Sequence, residues 1–599
     1  MHFKLRSYAY KRELAFGFFF LGLLMLYFWK LRYGWSYTGD EPFYLAVPDR
    51  LLMGDAPVAQ EWNLSQTSGY LLIPLVALFR LLTGGTEGII LFTRSCYLLV
   101  HAAVTLFIYV RLRRRFGWGA VAAALMHFMF IPYHTMAFSY NTIPIEALTV
   151  SGLLLAFPGK RPWIGAYAAG LLFAAAVLCC PFLAVLYLLY AVCALLRKRL
   201  KRTPAPLREP MFAGGTFLRF TAACAILAVI IVGYVLIRTG VSAILKDLSW
   251  LVYEPNHDFN ASAFSKALGY LKALLTGYSS LTAPDPVLTG AWIAEAVLVL
   301  IIAADRQRVL HRPVWLCAGL AITLVCLMDL RQDMSTQYHL IMLPMLFAAI
   351  PAFLLCREKD WGLFAGLFVP GVAFSMAMYL SSNNESFVIA LALSVSNVAG
   401  ILFVTRVIME LLEDYRGRTV GTTSAQLLAA ACCLVLLFTR AQIIRNLTYW
   451  DEGTYNLTQT LTEGPAKGVI TSEGKAQTYS DIMADVALLR QLPEGNVLFM
   501  DAGSVAYLAL GYPYGTFSPW FESMHTEKLA AYYENHPEKI PQYICIPLDG
   551  TVDADRLQRS AEDAGYRAVR GSHYLIMIEA GIAEANPQLP TASAEGGTT

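Results

Sequence analysis

The heptapeptide RLRRRFG, residues 111–117, stands between two apolar runs at 88–110 and 117–134. Its arginines are too costly to leave in hydrocarbon, so the chain has to emerge from a bilayer here. Further basic clusters recur downstream: GKRP at 159–162, RKRLKR at 197–202, DRQRVLHR at 305–312, REKD at 357–360 and EDYRGR at 413–418. Cytoplasmic loops of membrane proteins collect Lys and Arg. If every cluster faces the cytoplasm, the apolar runs pair off between them near 88–110, 117–134, 143–157, 162–178, 182–196, 216–238, 286–304, 313–328, 338–356, 361–380, 387–410 and 423–440. A span needs about 20 apolar residues. An earlier run at 14–29 follows Lys4, Arg6, Lys11 and Arg12. The stretch YFWKLRYG (27–34) behind it offers no small-residue cleavage site, so it reads as an uncleaved anchor. The expected fold is a polytopic α-helical membrane protein of about thirteen transmembrane helices. Its N-terminus is cytoplasmic and its C-terminus extracytoplasmic.

Composition agrees. The 599 residues are 57% hydrophobic and 15% charged, against about 25% charged in a soluble domain. A formal charge of +3 is too small to suggest a nucleic-acid partner. Of the cysteines only Cys545 lies in a polar region, so neither a disulfide framework nor a zinc ribbon is implied.

One run breaks the alternation. GYLLIPLVALFRLL, 69–82, is apolar, but counting it as a span would put RLRRRFG outside. About 14 residues suit an interfacial or re-entrant helix better than a crossing. Residues 30–87 are therefore expected to form one long external loop. The other external stretches are 135–142, 239–285, 329–338, 381–386 and everything after about 441. Polar detail collects on that face, so a catalytic site would face outward.

The domains follow from this. Residues 1–440 form the membrane domain. Residues 441–582 alternate strand-like runs (GNVLFMD, PQYICIP, HYLIMIE) with helix-like ones, which suggests a small extracytoplasmic α/β domain. Residues 583–599 read as a disordered tail. No phosphate-cradling glycine motif occurs in the α/β part.

Just beyond the first anchor, YTGDEPFY (37–44) places Asp40 and Glu41 side by side before Pro42. Asp40 could be a helix N-cap with Pro42 in the first turn. An acidic pair on an outward loop could also do chemistry. Both readings stay open on these residues alone.

The chain resembles the GT-C membrane glycosyltransferases over roughly residues 1–440. These include the protein O-mannosyltransferases, the aminoarabinose transferase of lipid A and, more distantly, the catalytic subunit of oligosaccharyltransferase. The resemblance rests on TGDEPFYLAVPDRLLMGD (38–55), RSCYLLVHAAVTLFIYVRLRRRFG (94–117), FSYNTIPIE (138–146) and QYHLIMLPMLF (337–347). Two departures stand out. Asn141 occupies a position where many relatives carry Asp, and the Lys-Pro-Pro segment of the aminoarabinose transferase is replaced by QEWNLSQTSGYLL (60–72).

What the resemblance implies is transfer of a sugar from a polyprenyl-phosphate donor to an acceptor outside the cytoplasm. The anomeric centre would invert, with Asp40 as the base. An acceptor hydroxyl needs such a positioned carboxylate to take its proton. Glu41 would orient the acceptor or hold the loop. Arg331, Gln337, Tyr338 and His339, with Arg94, would meet the lipid phosphate, and Tyr140 and Asn141 would complete the substrate-binding set. EPFYLAVPDRLLMG (41–54) would lie flat at the membrane interface, and the 239–285 loop would cover the cleft. No cofactor is expected, although Asp40, Glu41 and Asn141 offer oxygen ligands of the kind Mg²⁺ or Mn²⁺ takes. His127 and His134 lie on a run free of acids and read as packing. The partners expected are the lipid-linked sugar, an extracytoplasmic acceptor and membrane lipids, in a multi-pass plasma membrane. Two rival classes are a lipid-linked glycan transporter or flippase, which would call for ionisable residues in mid-span, and a non-catalytic envelope-assembly protein.

Overall fold

The computed structural model describes residues 2–36, 39–253, 263–276, isolated positions between 290 and 300, 342–381, 386–414, 434–501, 503–521, 525–549 and 554–586. The expected spans at 313–328 and most of 286–304 lie outside the described residues, as does the first half of the last one.

Among the described residues, seven helices are long and apolar enough to cross a membrane by length and composition. Helix α1 (His2–Lys30) leads into the segment carrying α2 (Asp40–Met53) and α3 (Gln66–Thr83). The bundle continues with α4 (Ile89–Phe116), α5 (Trp118–Met129), α6 (Thr142–Ala156), α7 (Pro162–Cys179), α8 (Ala184–Arg199) and α9 (Gly214–Thr239). Further apolar helices lie at Met342–Leu355, Trp361–Ser381 and Ser394–Asp414.

Basic clusters among the described residues meet at one end of this bundle. Arg113 bonds Glu13 at 2.7 Å, Arg115 bonds Asp360 at 2.8 Å, and Arg406 reaches Glu358 at 2.9 Å. Arg197 donates to the Glu209 carbonyl and Arg111 to that of Phe157. Turns that the sequence assigns to a single face are thus joined to each other, which supports the expected alternation for the described spans.

The opposite end carries the α/β domain. Its main sheet has the order β3 (Val497–Phe499), β4 (Tyr543–Pro547), β6 (Tyr574–Glu579), β5 (Tyr566–Arg570), preceded by a small β1–β2 pair (Gln459–Thr460, Ile470–Thr471). β3 and β4 run parallel and the other pairings are antiparallel. Three of these strands match the expected runs, whereas β5 was not read from the sequence. Gly34 donates to Ile470 and Gly88 to Gly464, both at 2.9 Å, so the segment between α1 and α4 is stitched to this domain. The two share one core, in which Trp35, Ala46, Phe79 and Ile89 pack with Tyr479, Val486, Phe499 and Tyr507.

Two expectations about that segment change. Helix α3 is 18 residues rather than about 14, long enough to cross by itself. Both its flanks nevertheless bond to the same domain. Trp62, just before it, donates to the Phe517 carbonyl, and Thr86, just after it, donates to that of Leu508. Helix α2 does not lie open at the interface. Its residues from Glu41 to Leu51 are all buried, under α3 and the Ser504–Leu510 helix of the α/β domain.

Helices α5 and α6 are short, at 12 and 15 residues. At 1.5 Å per residue α5 covers about 18 Å, well under the ~30 Å of a hydrocarbon core. The irregular stretch 130–141 joining them therefore sits low in the bundle, and such backbone survives there only when covered by protein. Helix α6 approaches Trp361–Ser381 closely at Gly152, where a Cβ would lie 1.8 Å from the Gly366 carbonyl oxygen. That contact falls on a π-helical turn at Phe364–Phe368. Gly152→Ala is expected to push the two helices apart and cost about 1–3 kcal/mol, read as a lowered midpoint of thermal unfolding in detergent. An unchanged midpoint would show that the contact is not tight.

Candidate active site

Helix α2 starts at Asp40, with the extended Gly39 before it and no side-chain cap. The capping use of Asp40 is therefore not realised. Its Oδ2 accepts a hydrogen bond of 2.5 Å from the Tyr449 hydroxyl instead, and the nearby Tyr44 hydroxyl favours its charged form. The hydroxyls of Tyr133 and Tyr140 face the same charge. Tyr44 and Tyr140 meet edge-on at 5.6 Å between ring centroids, and Tyr133 and Tyr449 lie 6.3 Å apart. Four tyrosines thus ring one carboxylate. They come from α2, from the α5–α6 connection and from the segment after the last apolar helix.

Burial pushes the Asp40 carboxyl above its ordinary range, while the hydroxyls of Tyr449 and Tyr44 pull it back down. Asp40 nonetheless keeps partial exposure, unlike the buried Glu41 beside it. A carboxylate with raised basicity, no cationic partner among the described residues and a route to solvent is what a general base requires.

The backbone around it is strained. Tyr133 (φ 52°), His134 (φ 56°) and Trp450 (φ 50°) all adopt the left-handed region without being glycine. Such residues persist only where their surroundings hold them, and they concentrate at functional sites. All three adjoin or belong to the tyrosine ring.

Glu41 and Arg94 form a unit. Arg94 Nε and Nη2 reach the two Glu41 oxygens at 2.7 and 2.6 Å, while Nη1 and Nη2 donate to the Leu31 and Gly34 carbonyls at 2.8 and 2.9 Å. Both side chains are buried. The pair ties α4 to the start of α2, so Arg94 offers no open fork to a phosphate and Glu41 offers no open carboxylate. With both its oxygens bonded to Arg94, Glu41 is not an open ligand for Mg²⁺ or Mn²⁺. Asp451 fastens the same region, accepting from the Trp35 amide at 2.9 Å and from Thr471 Oγ1 at 2.6 Å.

At the far end of α2, Arg50 is wholly buried. It bonds Asp55 at 2.5 Å, Glu61 at 2.9 Å, the Thr516 carbonyl at 2.7 Å and the Tyr532 hydroxyl at 3.1 Å. The α/β domain thereby clamps the helix that presents Asp40. Helix α10 (Val241–Val252), opening the expected cover over the cleft, also docks on that domain. Asp247 accepts from Asn535 at 2.8 Å and lies 3.1 Å from His536, and Trp250 stacks on Trp62 with ring centroids 5.7 Å apart.

Of the residues expected at the site, Asp40 and Tyr140 meet in the ring, and the buried Asn141 adjoins Tyr140. Glu41 and Arg94 sit beside it as a structural pair. Arg331, Gln337, Tyr338 and His339 lie outside the described residues. Sequence reasoning missed Tyr44, Tyr133 and Tyr449. Their only signal was aromatic residues flanking apolar runs, which any membrane interface displays.

No protein-family model matches the chain, and no curated protein does. Among solved structures it is similar to the oligosaccharyltransferase of Archaeoglobus fulgidus, with 11% identity over 92% of this chain and 73% of that one, at a TM-score of 0.44. It is also similar to ArnT from Cupriavidus metallidurans, solved bound to undecaprenyl phosphate. There the identity is 11% over 94% of this chain and 97% of that one, at a TM-score of 0.38.

Proposed function

We propose that this protein is an inverting membrane glycosyltransferase of the GT-C type. It takes a sugar from a polyprenyl-phosphate donor and passes it to an extracytoplasmic acceptor, with Asp40 as the base. The observation that carries this is the Asp40 carboxylate, partly open and made more basic by burial, inside a ring of tyrosines held by strained backbone. The donor class comes from the motif resemblance around residues 38–55 and 94–117.

An acceptor hydroxyl entering the ring would give its proton to Asp40 as its oxygen attacks the anomeric carbon. The lipid phosphate would leave from the opposite side of that carbon, which inverts it. The tyrosine rings present flat apolar faces against which a sugar can rest, and their hydroxyls can bond its polar edge. Glu41 and Arg94 fix the carboxylate's position without touching substrate.

Tyr449→Phe removes a donor that favours the ionised form of Asp40, so its carboxyl should rise further. As the base must be ionised, the acid limb of the kcat/KM profile should move to higher pH. An acid limb that stays in place or moves down would show that this bond does not tune the base.

The class of reaction is tested by incubating the purified protein with a panel of polyprenyl-phosphate sugars, with and without brief EDTA treatment, and following release of polyprenyl phosphate. Release from at least one donor, insensitive to chelation, is expected. Release abolished by EDTA and restored by Mn²⁺ would contradict a metal-independent step. No release with any donor and candidate acceptor would favour the transport or assembly readings.

A further inference from the structure

Helices α4, α5 and α6 bury two histidines and a glutamate against one another. Glu146 Oε1 lies 2.7 Å from His101 Nδ1, and Oε2 lies 3.1 Å from His127 Nε2. Both histidines are 1% exposed and Glu146 is 6% exposed. The remaining nitrogen of His101, Nε2, sits 3.1 Å from the Phe128 carbonyl oxygen, which can only accept. That contact fixes a proton on Nε2. Nδ1 of a neutral ring then turns its lone pair toward a carboxylate oxygen, and two electron-rich atoms that close need a cation between them.

A second observation concerns the same faces. His127 Nδ1 is buried and has no hydrogen-bond partner among the described residues. Thr105, four residues beyond His101 on α4, and Thr149, three beyond Glu146 on α6, are 0% exposed, and their hydroxyls have no partner among the described residues either. Spacings of three and four put them on the faces that carry the cluster. Buried polar groups are nearly always satisfied, and clustered exceptions are a mark of bound water or ions.

We propose that His101, His127 and Glu146 form a binding site for a divalent transition-metal ion of the zinc class. Their ligating atoms all lie within 4.8 Å of one another. Two imidazoles and one carboxylate make the mixed nitrogen and oxygen set that Zn²⁺ takes, whereas Mg²⁺ and Ca²⁺ call for oxygen. The contact from His101 Nε2 to a backbone carbonyl is the outer bond that orients a ligating imidazole. The site joins α4, α5 and α6 beneath the connection that carries Tyr133 and Tyr140, and its role is to position that connection. It is separate from Asp40 and stands whether or not the chain transfers sugars. Because the cluster is enclosed, its metal does not exchange during a brief chelation.

The test is metal retention by the intact protein in detergent. After equilibration with ZnCl₂, brief EDTA treatment and desalting, the wild type should keep about one zinc per chain, and His101→Ala should keep none. Loading with Co²⁺ during expression should give the wild type a visible absorption band that Glu146→Gln lacks. The wild-type band needs no variant to fold, and retained zinc should raise the thermal midpoint of the wild type alone. A wild type that keeps no more zinc than a His101→Ala/His127→Ala double variant, or shows no cobalt band, would overturn the site and leave a proton alone in the cluster.

Discussion

Asparagine in place of Asp40 is expected to lower the rate of sugar transfer by about 10²–10⁴-fold while leaving the protein folded in the membrane. The substitution keeps an oxygen able to accept from Tyr449, so the 2.5 Å contact and the tyrosine ring survive. What disappears is a group able to take the acceptor's proton. Because Asp40 forms no cap and pairs with no cation among the described residues, its loss leaves no buried charge uncompensated. Rate and stability should therefore separate, with transfer lost and the thermal midpoint held. If the midpoint falls together with the rate, Asp40 is structural. If transfer persists, another group is the base.

The largest loss of stability is expected at Arg50. Its guanidinium is wholly buried and serves Asp55, Glu61, the Thr516 carbonyl and the Tyr532 hydroxyl together. Arg50→Ala leaves Glu61 with no cation in a site that is 0% exposed, whereas Lys539 still reaches Asp55. Breaking a buried pair from one side costs about 3–5 kcal/mol. Arg50→Met should fare little better, since it fills volume but leaves Glu61 unpaired. Thermal unfolding reads the loss. Faster proteolysis around Thr516–Phe521 would locate it at the contact between α2 and the α/β domain. A change under about 1 kcal/mol would show that the cluster behaves like an exposed ion pair.

Much of this architecture was legible because charge leaves a strong trace in an apolar sequence. Arg111, Arg113, Arg115 and Arg197 mark turns that meet at one end of the bundle, and their partners Phe157, Glu13, Asp360 and Glu209 stand there too. Helix α3 has the length of a span, and it is the bonds of both its flanks to the α/β domain that agree with reading it as part of one loop. The strand YRAVR escaped notice because its exposed arginines, Arg567 and Arg570, mask a buried Val569. At the site, Asp40 was visible as an acid after an anchor, but its surroundings were not. Tyr449 lies 409 residues away in sequence and Arg94 lies 53 from Glu41, separations over which no local pattern operates. His101, His127 and Glu146 look like isolated polar residues on three apolar helices. Only packing brings them together.

Everything proposed for Asp40 requires that the end of the bundle bearing the α/β domain face the exterior. Single cysteines at Glu87, in the exposed turn stitched to that domain, and at Arg114, in the basic turn at the other end, can be probed in intact cells with a membrane-impermeant maleimide. Labelling at position 87 in intact cells, with position 114 labelled only after permeabilisation, is the predicted result. The reverse pattern would place Asp40 in the cytoplasm and contradict the account.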